Sequence, residues 1–480
     1  MIMRYIFLIF IAVLFVSCTG KPQNAKPLNE YPDIFPDYTF VTIPSKIAPL
    51  NFEVKDDGKR FFVLVEGESS SITASGKRFI QFSERKWQKL LAENNLLTFT
   101  VWSKSSKEWM QYKPFDVSVK TEPVDSYLTY RRIAPGYQVW SSMGIYQREL
   151  SSFREDEIVS NRLFPGSCVN CHAFNSNDAN SMMFHLRGNN GGTYFVSDTS
   201  VFKVNSKPEQ LYSGFQYPYW HPSGQYVAFS INNTAQAFHA VADKRIEVFD
   251  SESDVVVYDV HNNKVVATPL LMSGEWFETF PSFSPDGMYL YFCTSKATPM
   301  PENYKEVKYN LCRIAFDAKT GTFGQEVDTL VRVADTNMSV TFPRISPDCK
   351  WLLFTLSDYG NFSIWHPEAD LYMLNLETGE YCPLEAANSE DTESYHSWSS
   401  NSRWVVFSSR RVNGLYTMPY IVYINEHGEA EKPFLLPQKS PDYYKNSFYS
   451  FNIPEFVNGK VNVSVRNIEN AFNSEGLKVK

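Results

Sequence analysis

Pro218-Tyr-Trp-His-Pro-Ser-Gly-Gln-Tyr-Val-Ala-Phe-Ser230, Pro281-Ser-Phe-Ser-Pro-Asp-Gly-Met-Tyr-Leu-Tyr-Phe292, Pro343-Arg-Ile-Ser-Pro-Asp-Cys-Lys-Trp-Leu-Leu-Phe354 and His396-Ser-Trp-Ser-Ser-Asn-Ser-Arg-Trp-Val-Val-Phe407 share one pattern. Each is an apolar strand, a tight turn of the Pro-Asp-Gly kind, and a second apolar strand. Pro presets φ for such a turn, and Gly or Asn tolerates its left-handed corner. A second pattern follows each copy: Val255–Asp259, Leu311–Asp317, Leu371–Asn375 and Ile421–Asn425, each running into another turn. Four antiparallel strands per unit make one propeller blade. The anchors Trp220, Phe283, Ile345 and Trp398 differ by 63, 62 and 53 residues.

Working outward, Ser176–Phe184 matches Ser284–Phe292 and adds a blade upstream. Downstream, Ser447–Asn452 and Lys460–Val465 supply two strands. Gly144–Leu150 and Glu157–Val159 supply the missing pair. The expectation is an all-β chain with a six-bladed propeller over residues 136–470, its last blade closed by strands from both ends. Closure removes the edges that an open ring would expose. The pattern resembles the TolB-like propeller family. Prolyl oligopeptidase-like enzymes also carry propellers, but a catalytic domain with a G-x-S-x-G elbow is not found in this sequence, so catalysis is not assigned.

Residues 36–125 carry strand-like runs at Phe40–Ile43, Leu50–Val54, Arg60–Val65, Lys77–Phe82, Leu97–Trp102 and Phe115–Val119. One helix is predicted over Ser83–Asn94, with Ser83 as N-cap and Trp87, Leu90 and Leu91 on its apolar face. This reads as a small β-sandwich-like domain before the propeller, without His or Cys, acting as spacer or interaction module.

Met1–Ser17 reads as an export signal, with Arg4 before the twelve-residue apolar run Tyr5–Val16. About 20 residues are needed to cross a bilayer, so the run is too short to span one. Phe15-Val16-Ser17-Cys18 resembles a lipoprotein lipobox, which implies lipidation of Cys18 and a membrane partner through that anchor. Thr19 in place of Asp implies the outer membrane. The absence of an acidic cluster over residues 20–26 implies a periplasm-facing protein. Residues 18–35 are expected to be anchor and linker. The chain has 45 Lys plus Arg against 53 Asp plus Glu, a net charge of −8. No basic excess exists to displace counterions from phosphates, so nucleic acid is excluded as a partner.

Cys168-Val169-Asn170-Cys171-His172 is C-x-x-C-H, the c-type haem attachment pattern. Two thiols at this spacing can add to the two haem vinyl groups, and the adjacent His can ligate the iron. Cys168 and Cys171 could instead pair as a disulfide, or the trio could supply three ligands of a zinc site. Aligning Asp178 with Asp286 sets His172 beside Phe280, Tyr217, Phe342 and Tyr395 of the other blades. That places the motif in a connection between blades, near the mouth of the central channel. Candidates for a sixth iron ligand are Met182, Met183, His185, His239, His366 and His396, each with an ordinary structural role as the competing reading.

The same face carries long loops at Ile231–Asp254, Thr294–Tyr309, Leu356–Asp370 and Ser408–Tyr420. Asp243-Lys244-Arg245 and Arg410-Arg411 could meet an anionic partner there. Trp276, Phe280, Tyr359, Trp365 and Tyr416 could stack on sugars. Of the remaining thiols, Cys293 and Cys312 lie on consecutive strands of one blade, close enough in the pattern to pair.

Together these features look like a Bacteroidetes lipoprotein family with a TolB-like propeller and a C-V-N-C-H motif before its first blade. The resemblance implies one covalent haem c at Cys168, Cys171 and His172, with His172 as proximal iron ligand. It implies electron transfer or redox sensing, and carries no substrate. A scaffold that recruits another envelope protein on the propeller face, and a glycan-binding propeller, are the alternatives.

Overall fold

The computed structural model describes residues 20–105, 108–134, 140–198, 200–205, 207–208, 211–238 and 246–480. The export signal, Cys18, His239 and the Asp243-Lys244-Arg245 run lie outside the described residues.

Six four-stranded antiparallel sheets form a ring. Blade one opens on Ser167–Phe174, blade two on Phe215–Trp220, blade three on Trp276–Phe283, blade four on Ser339–Ile345 and blade five on Glu393–Trp398. In each, the quoted repeat supplies the inner strand, the tight turn and the second strand. Second strands are apolar on both faces because each blade is covered by two neighbours. Phe184, Phe229, Phe292, Phe354 and Phe407 occupy one equivalent position and are all buried. Two anchor tryptophans tie adjacent blades together. Trp220 Nε1 donates to the Ala173 carbonyl at 3.2 Å, and Trp398 Nε1 to the Arg344 carbonyl at 3.0 Å.

Strands from both ends of the repeat region close blade six, but three to one rather than two to two. From outside inward it runs Glu155–Ser160, Gly144–Glu149, Tyr127–Ile133 and Ser450–Val457. The propeller sheets therefore begin at Tyr127, within a stretch the sequence reading left between domains. The alternation in Tyr127–Ile133 explains it: Leu128 and Tyr130 enter the core, while Thr129 and Arg131 face the other way. Lys460–Val465 is not a strand. Val461 exchanges hydrogen bonds with the Gln147 side chain, and the chain then enters the helix Val465–Phe472. Ser464 caps that helix through the Asn467 amide, and Ile468 and Ala471 are its buried face.

The N-terminal domain is a seven-stranded sheet against a three-stranded one. The helix Glu84–Glu93 buries Trp87, Leu90 and Leu91 as expected, although the Ser83 side chain makes no capping bond. Residues 26–35 are not a free tether. Lys26–Pro27 pairs in parallel with Met110–Gln111, and Ile34–Phe35 pairs with Glu53–Val54. The domain shares one apolar core with blades five and six: Tyr38, Trp87, Phe99, Leu128, Tyr130, Trp404 and Phe456 belong to it.

The loop expected at Ile231–Asp254 is largely strand. Tyr226–Phe238 and Ile246–Asp259 pair along their length and project beyond blade two as a long hairpin. It crosses toward the loops of blades three and four. Phe249 meets Tyr304, Glu247 accepts from the Tyr359 hydroxyl at 2.9 Å, and Asp250 accepts from Asn361 Nδ2.

Candidate functional site

Every inner strand has a bulge. Pairing with the second strand breaks after Val169, Gln216, Thr279, Thr341 and Ser394, and again opposite Thr129–Arg131 in blade six. In five blades the first bulge residue takes left-handed φ: Tyr217 (46°), Phe280 (51°), Phe342 (53°), Tyr395 (50°) and Ile453 (51°). Pro follows in four of these, at Pro218, Pro281, Pro343 and Pro454. A bulge is where a strand tolerates Pro, since the ladder is already interrupted.

The bulges throw side chains into the channel. Tyr217–Phe280, Phe280–Phe342 and Phe342–Tyr395 ring centroids lie 4.5, 4.1 and 5.0 Å apart. They form an aromatic collar. In blade one the two bulge positions are Asn170 and Cys171. The Cys171 thiol lies near enough to Tyr217 and Tyr395 to act electrostatically on both.

The residues that resume pairing below the collar are His172, Tyr219, Ser282, Arg344, Ser397 and Glu455. They are a polar ring. His172 Nε2 lies 4.0 Å from Glu455 Oε1, and the Arg344 guanidinium lies 4.8 Å over the Tyr219 ring. A cavity of about 940 Å³ runs through both rings, walled by Cys171, His172, Tyr217, Tyr219, Arg344, Phe342, Tyr395 and Glu455 among others.

The motif thus lies within the inner strand of blade one, not in a connection. Only its first residue is near the mouth, where Cys168 pairs with Arg187 at the end of the second strand. The Asp178–Asp286 alignment misses by two residues, because the turn of blade one is one residue longer than that of blade three and its bulge lies one step out of phase. His172 falls beside Ser282, below Phe280.

Cys168 and Cys171 are both free thiols. Cys168 Sγ is 4.0 Å from Arg131 Nη2 and 3.8 Å from Asn161 Nδ2. Cys171 Sγ is 3.6 Å from Asn170 Oδ1. The His172 side chain is fully buried, and neither ring nitrogen has a hydrogen-bond partner. Burial, then the neighbouring Arg131 charge, hold its pKa down to about 3, so the ring is neutral. Burial pushes Glu455 up to about 8, while the Phe174 amide donates to its Oε2 at 3.0 Å. Among the described residues, no three His, Cys, Asp or Glu side chains converge as ligands of a bare metal ion. The zinc reading of the trio has no fourth ligand there.

The candidate sixth ligands are placed elsewhere. Met182 and Met183 are fully buried in the apolar cores on either side of blade one. His185 Nδ1 shares a 2.8 Å hydrogen bond with Thr193 Oγ1. His396 lines the cavity but bonds the Leu353 carbonyl through Nε2 at 3.0 Å. His366 Nε2 lies 3.3 Å from Glu247 and Nδ1 3.4 Å from Glu368, pinning the hairpin.

Arg411 is neutralised by buried Glu393 at 2.9 Å, and the Arg410 guanidinium stacks 4.7 Å from the Trp365 ring. Neither is an open surface charge. Phe280 belongs to the collar and Tyr359 to the hairpin contact. Trp276 begins the inner strand of blade three and is exposed. Tyr416 packs on Phe448. These aromatics do not make one sugar-stacking surface. Cys293 and Cys312 are buried free thiols. The two rings themselves were missed in the sequence. Their signal was the aromatic–Pro dipeptide that opens three of the quoted repeats.

No protein-family model matches this sequence, and no curated protein matches it. Solved structures share a coarse β-propeller likeness. Prolyl oligopeptidase B from Galerina marginata, bound to a 35mer hydrolysis and macrocyclization substrate, is 11% identical with a TM-score of 0.37, over 70% of this chain and 42% of that one. A DUF4784 family protein from Bacteroides caccae is 9% identical with a TM-score of 0.30, over 75% and 95%. Porphyromonas gingivalis dipeptidyl peptidase 4 is 10% identical with a TM-score of 0.26, over 85% and 60%. The chain spans less than half the length of the prolyl oligopeptidase it matches. At these identities the likeness extends to the fold alone.

Proposed function

We propose that this chain is an exported lipoprotein, anchored through Cys18 in the outer membrane and facing the periplasm, whose propeller carries one covalent haem c for electron transfer or redox sensing. The observation that carries the reading is His172: a buried, neutral imidazole with both nitrogens unpartnered, one residue from a free thiol and four from another. An unsatisfied buried polar atom costs about 1–3 kcal/mol. Ligation by a metal centre is the chemistry that would remove that cost.

Cys168 and Cys171 would hold the group through thioether bonds, and His172 through a ring nitrogen. Bound haem supplies one-electron exchange. The chain's own contribution is the setting. Burial, with Arg131 beside it, keeps His172 in the neutral state that ligates. Tyr217, Phe342 and Tyr395 give the same cavity an aromatic wall. An envelope protein docking on the propeller face is the proposed redox partner.

Haem staining of a denaturing gel, with a pyridine haemochrome spectrum, tests this in a host that matures c-type cytochromes. The expected result is a stained band that is lost in Cys168→Ala/Cys171→Ala. A colourless chain, in a host that loads a control cytochrome, would overturn it. Loss of labelled palmitate incorporation in Cys18→Ala tests the anchor.

A further inference from the structure

The charge on the cavity wall opposes the charge of the chain. The molecule carries −8 overall, yet the ionisable groups lining the channel are Arg131, Arg187, Arg344 and Arg410 against a single carboxylate, Glu455, besides two histidines held neutral. Among the described residues no carboxylate comes within 4.0 Å of the guanidinium of Arg131, Arg187 or Arg344. Arg187 donates to Gln216 Oε1 at 3.2 Å, and Arg131 has a buried Nε with no partner. Arg344 donates at 2.8 Å to the Pro343 carbonyl and otherwise rests on the Tyr219 ring. Arg187 is exposed, but Arg131 and Arg344 are half-buried, and a guanidinium drawn partly out of water without a counter-ion is a place for an anionic ligand.

Depth then sorts the anions. Arg344 stands in the polar ring, below the aromatic collar. A ligand on Arg344 lies against Tyr217, Phe342 and Tyr395, and the same cavity extends to Arg131 and Arg187. One guanidinium at that depth matches one negative charge, and the collar matches an apolar body. A phosphate dianion would leave a charge unmatched against aromatic faces. The cavity volume falls within the roughly 300–1,000 Å³ range of small-molecule sites.

We propose that the propeller channel is a binding site for a small apolar monocarboxylate, its carboxylate on Arg344 and its hydrocarbon body against Tyr217, Phe342 and Tyr395. The mouth arginines raise the local anion concentration and so speed entry. The site shares its cavity with Cys171 and His172, so a haem held there and the acid would compete for it, and the acid is tested on haem-free chain.

Isothermal titration of the purified full chain with benzoate and with octanoate tests it, with benzamide as the neutral control. Saturable one-site binding of either acid, with benzamide at least 30-fold weaker, is expected. Arg344→Gln should weaken the acid at least 30-fold while leaving the melting temperature within a few degrees. Should Arg344→Gln fail to fold, Phe342→Leu serves. It should weaken octanoate about 3- to 10-fold and leave the preference over benzamide intact. The Cys168→Ala/Cys171→Ala chain should keep binding, which separates this site from haem loading. No saturable binding of either acid up to 10 mM (about a hundredfold above an ordinary ligand constant) would overturn the proposal, as would binding unchanged in folded Arg344→Gln.

Discussion

Gly287 turns the corner of blade three at φ +73°, and a Cβ there would sit 2.5 Å from His221 Nε2. That ring already bonds the Gly287 carbonyl at 3.1 Å, so it has little room to move. Gly287→Ala is expected to cost about 2 kcal/mol, from left-handed backbone strain plus the clash. Blade four takes the same corner with Cys349 at φ +58°. Cys349→Gly relieves that strain and adds unfolded-chain entropy, so its stability should stay within about 1 kcal/mol of the parent. Urea titration of both variants checks the pair. A larger cost is expected where Glu393 is removed. It is fully buried and accepts from Arg411, Ser389 and Ser409. Glu393→Ala leaves Arg411 without its counter-ion and is expected to cost about 3–5 kcal/mol in the same assay. The turn corners were readable from the Pro-Asp-Gly spacing, because local φ demands act on single residues. Glu393 was not, since its value comes from partners that the sequence does not bring together.

The hairpin of Tyr226–Phe238 and Ile246–Asp259 is held over the channel side by Glu247, which faces Tyr359 and His366. Burial alone would lower the His366 pKa; the bonds to Glu247 and Glu368 outweigh it and leave it raised above 6.5. A His raised in the folded state stabilises fully below its unfolded pKa of 6.5, and that contribution is lost as pH rises through the folded value. Protection factors of amides in Glu247–Asp250 should therefore fall as pH rises above 6.5, while those of Phe229 and Phe292 do not. Equal change at all these sites would show that the ion pair does not hold the hairpin. At this scale the sequence was legible in part. Alternation and turns located four whole blades, because each strand's partners are nearby in sequence. The closing blade was misdivided because Tyr127–Ile133 and Ser450–Val457 meet only in three dimensions. Ile453-Pro454, aligned with Phe280-Pro281 and Phe342-Pro343, held the missing signal for the inner strand.

One apolar core joins the N-terminal domain to blades five and six, with Tyr38 Oη donating to the Leu435 carbonyl and Arg148 Nη2 to the Pro437 carbonyl. The two parts should therefore melt together. Under urea, the N-terminal domain, followed through Trp87, and the propeller, followed through Trp404, should lose structure at one midpoint, and Tyr130→Ala should lower both. Two midpoints more than about 1 M apart would mean that the shared core does not couple them. The motif itself was plain in the sequence, but its setting was not. The collar and polar ring come from six bulges summed around an axis, a property of the closed ring rather than of any segment.

That closure also sets an order of events in the cell. Thr129 bonds the Glu455 carbonyl across 326 residues of chain. At roughly 5–20 residues per second, the ribosome needs about 15–65 s to make that span. Throughout that time Tyr127–Ile133 waits with a bare strand edge, and no channel, collar or oriented His172 exists. Any factor that acts on the finished ring must wait for its last strand, and a folding helper that covers that edge would gain the most in the interval.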